Sequence, residues 1–142
     1  MKEELDNKLV KAFPLLYKDR NAPMQSTAMC WGFPGDGWFN IIWDLSSKLE
    51  PLIQKFIDDN PNTELYPKAA QVKEKYGGLR FYMTCDTDEI SNLVEKAEAL
   101  SLKTCEACGK PGEKRGGGWI HTLCDDCHEN WDKIRLKRWE KE

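Results

Sequence analysis

Long apolar runs, an excess of basic charge and histidine are all scarce in this chain of 142 residues. No run approaches the roughly 18 apolar residues that a bilayer-spanning helix needs, so no membrane partner is expected. The opening MKEELDNKLV lacks the basic-then-apolar pattern of a secretory signal, and a cytoplasmic location is the expectation. The formal net charge is −3. Residues 1–102 carry 12 Lys and Arg against 16 Asp and Glu, and residues 103–142 carry nine against eight. Generic attraction to a nucleic-acid backbone is therefore weak, and any such role must rest on a local patch. Internal repeats and low-complexity segments are also absent.

What is present is aromatic and thiol chemistry. Six Trp, five Phe and four Tyr within 40% hydrophobic content supply a large area to bury, which excludes a disordered chain. Six cysteines in a reducing compartment suit metal better than disulfides. Cys105, Cys108, Cys124 and Cys127 form two C-x-x-C pairs, whereas Cys30 and Cys85 stand alone and are expected to be small core residues. The length allows one compact core with a metal-stapled appendage, but not two ordinary domains.

Apolar spacing outlines the elements. Leu5, Leu9 and Phe13 predict a short amphipathic helix over 3–12, ended by Pro14. From Trp38, the positions Ile41, Ile42, Leu45, Leu49, Leu52, Ile53 and Phe56 predict a long core helix. Pro51 lies within it, so a kink or two abutting helices are expected there. Ala70, Val72 and Tyr76, then Leu79, Phe81 and Met83 beyond Gly77-Gly78, predict a β-hairpin with one buried face. Its other face should show Lys73, Lys75, Arg80 and Tyr82. Residues 88–102 return to helical spacing, with Asp86 or Thr87 as cap. The fold class expected is α+β: an α+β unit over 1–102, helices packed on the hairpin, followed by a zinc subdomain over 103–142.

In that subdomain a C-x-x-C turn lets two sulfurs reach one ion, and a short hairpin must carry the second pair back. Residues 113–115 and 119–122 are expected as its strands, with Gly116, Gly117 and Gly118 turning the chain. A helix should begin after Cys124 and hold Cys127 in its first turn, which is the order of a treble-clef finger. One structural Zn²⁺ on Cys105, Cys108, Cys124 and Cys127 is the expected cofactor; either histidine, His121 or His128, could replace one thiolate. The C-x-x-C-H run also resembles the end of HNH nucleases. That resemblance is local: residues 114–123 offer only His121, with no acidic neighbour to orient it and no Asn. His128 is expected to be an exposed first-turn residue.

The blocks CWGFPGDGWFNIIWDL, QVKEKYGGLRFYM and CEACGKPGEKRGGGWIHTLCDDCH, taken in order, resemble a family of small proteins of tailed phages and prophages. The resemblance spans roughly residues 30 to 130. It implies a phage setting in the host cytoplasm and an accessory role on host machinery or defence, exerted by binding, and it brings no catalytic residues.

Several surfaces could serve such a role. Lys73, Lys75, Arg80 and Tyr82 combine phosphate-seeking charge with an aromatic ring, although a solvated sheet face explains them equally. Trp38, within the cluster Trp31, Phe33, Trp38, Phe39 and Trp43, could stack on a base, although core packing accounts for most of these rings. GFPGDGW could receive an anion at the start of the long helix, unless Asp36 caps those donors. The C-terminal charges Lys133, Arg135, Lys137, Arg138 and Lys141 fit helix-end complementation, while Trp131 and Trp139 could dock on the main unit or on a partner. Expected ligands are a nucleotide or nucleic acid ahead of a host protein, and an HNH-like metal-dependent nuclease comes third.

Overall fold

The computed structural model describes residues 1–116 and 118–140, and of residues 136–140 the backbone alone. The chain is α+β, with five helices and two small antiparallel sheets among the described residues. No helix there is long and apolar enough to cross a membrane.

Helix α1 (Glu3–Ala12) turns Leu9 fully inward. Helix α2 (Phe39–Asp59) is the spine, and Ile42, Leu49 and Ile53 along it are sealed from solvent. Pro51 lies within α2, and the helix is assigned without a break, so two abutting helices do not form. Pro51 is exposed, where the carbonyl it leaves without an intrahelical donor can meet water. The strands β1 (Ala69–Lys75) and β2 (Gly78–Met83) pair as a hairpin, with Lys73 opposite Arg80 and Val72 opposite Phe81. Tyr76 and Gly77 make its two-residue turn at φ 54° and 80°, the left-handed pair that a tight hairpin requires. Tyr76 is consequently exposed rather than part of the buried face. An irregularity between Ala69 and Gln71 makes Ala69 the sealed residue and leaves Ala70 half-buried.

Helix α3 (Asp88–Ser101) starts on Thr87, whose Oγ1 accepts the Ile90 N–H at 3.2 Å. It packs on α2 and β2, and it closes the outer edge of the hairpin with side chains. The Leu79 and Phe81 N–H groups donate to Ser101 Oγ (2.9 Å) and Glu98 Oε2 (3.0 Å). On the other side of the core, Arg20 pairs with Asp6 at 2.8 Å and donates to the Cys30 carbonyl at 2.8 Å. Phe33 sits edge-on to buried Tyr17 at 4.9 Å. These contacts hold the loop of residues 31–34 in place. Cys30 is half-buried and Cys85 exposed, so neither is the core thiol that composition suggested.

The C-terminal part contains β3 (Glu113–Arg115), β4 (His121–Leu123), α4 (Asp125–Glu129) and α5 (Trp131–Glu140). Strand β4 starts two residues later than expected, and the helix after Cys124 is divided at Asn130. Gly117, Glu142 and Lys141 lie outside the described residues, as do the side chains of Lys137, Arg138 and Trp139.

Backbone contact joins this part to the main unit. Gly37 N–H donates to the Glu106 carbonyl at 3.0 Å, and buried Trp38 donates its indole N–H to the Thr104 carbonyl at 2.9 Å. A Cβ on Gly35 or Gly37 would fall inside the carbonyl oxygens of Glu106 or Cys105. Gly35 and Gly37 of GFPGDGW therefore serve close approach to the thiol knuckle rather than anion binding. Asp36 does not cap α2 either: its Oδ1 accepts the Lys2 N–H at 2.7 Å. At a second place Thr122 Oγ1 donates to the Gly77 carbonyl at 2.5 Å.

Gly37→Ala should lower the stability of the whole chain by about 1–3 kcal/mol, the usual cost of forcing atoms into a packed contact. Equilibrium urea denaturation measures it, and an unchanged midpoint would show that the knuckle does not rest on Gly37.

Candidate functional site

The four paired cysteines converge. The knuckle of residues 105–108 supplies Cys105 and Cys108, Cys124 precedes α4, and Cys127 lies within it. All four sulfurs lie within 4.8 Å of one another, and Cys108 and Cys124 are 3.6 Å apart. Four thiols this close can hold one metal ion, and no histidine is needed to complete the set. Cys124 Sγ also accepts the Cys127 N–H at 3.4 Å. Chiefly for that reason its thiol is lowered to about 7, which favours a thiolate at the start of the helix. His128 is exposed on α4 and takes no part.

The other histidine has a different fate. His121, at the start of β4, is buried and lies between two tryptophans, with ring centroids 5.5 Å from Trp119 and 4.3 Å from Trp131. Its Nδ1 donates to Glu106 Oε1 at 2.8 Å and lies 3.3 Å from Glu74 Oε1. The expectation that His121 has no acidic neighbour is thus corrected. Sequence proximity was the wrong measure, because Glu106 is 15 residues away and Glu74 comes from the first hairpin. One signal for Glu74 was readable: it follows Val72 by two positions and therefore occupies the inward phase of β1, where an apolar residue would be ordinary. Glu106 had no comparable signal, since a residue inside a C-x-x-C turn is usually exposed.

Glu74 and His121 open onto a cleft of about 440 Å³. Residues 71–74 of β1 form one wall and the loop of residues 31–34 another. Trp119, Trp131 and Arg135 close it from the C-terminal part. Trp31 and Trp119 are strongly exposed, at 72% and 64%, although each carries a large apolar ring. Lys73 and Arg135 bring positive charge to the same cleft.

The expected ligand residues separate. Lys73, Lys75, Arg80 and Tyr82 do share the outer face of the hairpin, where Lys73 stands 5.8 Å from the Tyr82 ring. Of these four, Lys73 alone also lines the cleft. Trp38 is fully buried and presents no ring to a ligand; Trp31 and Trp119 are the exposed rings instead. Helical phase at Trp38 could not reveal this, because its indole N–H is taken by the Thr104 carbonyl, 66 residues away. Trp131 is half-buried against the cysteine cluster.

Comparison of the chain with family models, curated proteins and solved structures returned no match.

Cys108→Ser should reduce bound metal from one equivalent to near zero, read by elemental analysis after gel filtration. Retention in the native protein against a chelator should also weaken as pH falls from 8 to 6. Protons compete with the ion for all four sulfurs: burial raises the Cys108 and Cys127 thiols, which must give up protons to bind, while Cys124, lowered to about 7, ionises before them. Retention that is flat with pH would contradict this thiolate assignment.

Proposed function

We propose that the protein is a zinc-stabilised binding protein, without catalysis of its own, that takes a nucleotide or an unpaired nucleic-acid base into the cleft between the hairpin and the C-terminal part. The observation that carries this reading is the exposure of Trp31 and Trp119 at a cleft that also holds Lys73, Arg135 and Glu74. Flat rings stack on any base, the two cations suit phosphate, and a carboxylate can accept from the amino and imino groups of a base edge. The volume lies in the range of small-ligand sites.

Zinc is the metal proposed for the four thiols, since a tetrahedral all-sulfur donor set favours it and leaves no position open for substrate. Such a centre braces. The knuckle, short hairpin and helix carrying the last ligand support a treble-clef assignment. In the phage setting implied by the sequence resemblance, sequestering a host nucleotide, or masking a single strand, would be the action on host machinery or defence. Trp131, one of the two rings a protein adaptor could use, is half-buried against His121 and the cysteine cluster, and the Trp139 side chain lies outside the described residues.

Isothermal titration with nucleoside mono-, di- and triphosphates and with a short single-stranded oligonucleotide tests the reading. Trp31→Ala should weaken binding by about 5- to 150-fold, the equivalent of about 1–3 kcal/mol for one stacked base, with zinc content and circular dichroism unchanged. No heat and no tryptophan quenching with any of these ligands at millimolar concentration would refute it.

A further inference from the structure

A group separate from the four thiols is assembled from three elements that are remote in sequence. Glu74 comes from β1, Glu106 from the knuckle and His121 from β4, and one donor atom of each lies within 4.8 Å of the other two. The donor separations are informative. Nitrogen and oxygen ligands bind first-row divalent ions at about 2.0–2.2 Å, so neighbours at angles of 90–109° stand roughly 2.8–3.6 Å apart. His121 Nδ1 is 2.8 Å from Glu106 Oε1 and 3.3 Å from Glu74 Oε1, both within that window.

Charge points the same way. Glu106 is 3% exposed and the Glu74 side chain 19%, so two carboxylates are held close together in a region poor in water. Glu106 is also bonded to Cys105, one of the four thiols. A tetrathiolate around a divalent ion carries a net −2 and adds to the local negative potential. Two carboxylates and one imidazole form a donor set suited to the harder first-row divalent ions. Glu74 and His121 line the cleft, which provides a route of entry and leaves coordination positions open toward it.

We propose that Glu74, Glu106 and His121 form a second divalent-cation site at the floor of the cleft, taking a first-row ion such as Mn²⁺. The ion occupies the place of the proton that Nδ1 shares with the carboxylates, and the imidazole then carries its hydrogen on Nε2. The two carboxylates and one imidazole differ from the all-sulfur centre in hardness, so the two sites select different ions: zinc on sulfur and a harder ion here. The site is defined by the donors alone and does not depend on the nucleotide reading.

The test uses the 142-residue protein carrying one equivalent of zinc, titrated with Mn²⁺ in the absence of nucleotide and followed by the loss of the free-ion electron paramagnetic resonance signal. One further equivalent of Mn²⁺ is expected, with zinc content staying at one. Glu74→Gln, at the most accessible of the three ligands, should weaken that equivalent at least tenfold while zinc content and circular dichroism stay as in the parent. His121→Ala should do the same if it folds, and Glu74→Gln decides the matter if it does not. No Mn²⁺ bound beyond the zinc equivalent at millimolar concentration, or full binding retained in Glu74→Gln, would overturn the proposal and leave the trio as a hydrogen-bonded joint.

Discussion

The close approach of residues 35–38 to the thiol knuckle is the constraint on which the rest of the molecule depends. Gly37 donates to the Glu106 carbonyl, Trp38 to the Thr104 carbonyl, and neither Gly35 nor Gly37 has room for a side chain. Because Trp38 leads directly into α2, the knuckle is anchored to the start of the principal core helix. A metal held by Cys105, Cys108, Cys124 and Cys127 would therefore stiffen more than a loop. It would fix the C-terminal hairpin against the main unit, and with it every residue that hairpin contributes to the cleft.

That anchoring explains why the cleft lies where it does. Its walls come from β1, from the loop of residues 31–34 and from the C-terminal part, and none of these is adjacent in sequence. The outer edge of β2 is closed by Ser101 and Glu98 from α3. On the opposite side, the Gly77 turn is held by Thr122, which brings His121 over Glu74. Rings and charges thus meet because two separate contacts, at Gly37 and at Gly77, join the parts. Trp31 and Trp119 keep their rings largely exposed at the rim of that cleft.

Much of the frame was legible. The 3.6-residue spacing of Ile42, Leu45, Leu49 and Ile53 marked α2, the Gly77-Gly78 step marked the hairpin, and paired C-x-x-C spacing marked the cysteine cluster. Each of those signals is local: a helix face, a turn that needs positive φ, and a two-residue gap that fits one ion. The errors were also local in origin. Trp38 was read by its position at a helix start, yet its indole is consumed by a carbonyl 66 residues away. His121 was read against its sequence neighbours, yet its partners arrive from β1 and from inside the knuckle.

By itself, then, the sequence determined the main element types, the existence of the first hairpin and the identity of the four clustered thiols, because periodicity and short spacings act within a few residues. Tertiary structure alone decided which rings face solvent, that Glu74 and Glu106 flank His121, and that Lys73 belongs to a cleft as well as a sheet face. Those outcomes depend on how closely two backbones approach across the join, a distance that no pattern along one strand encodes.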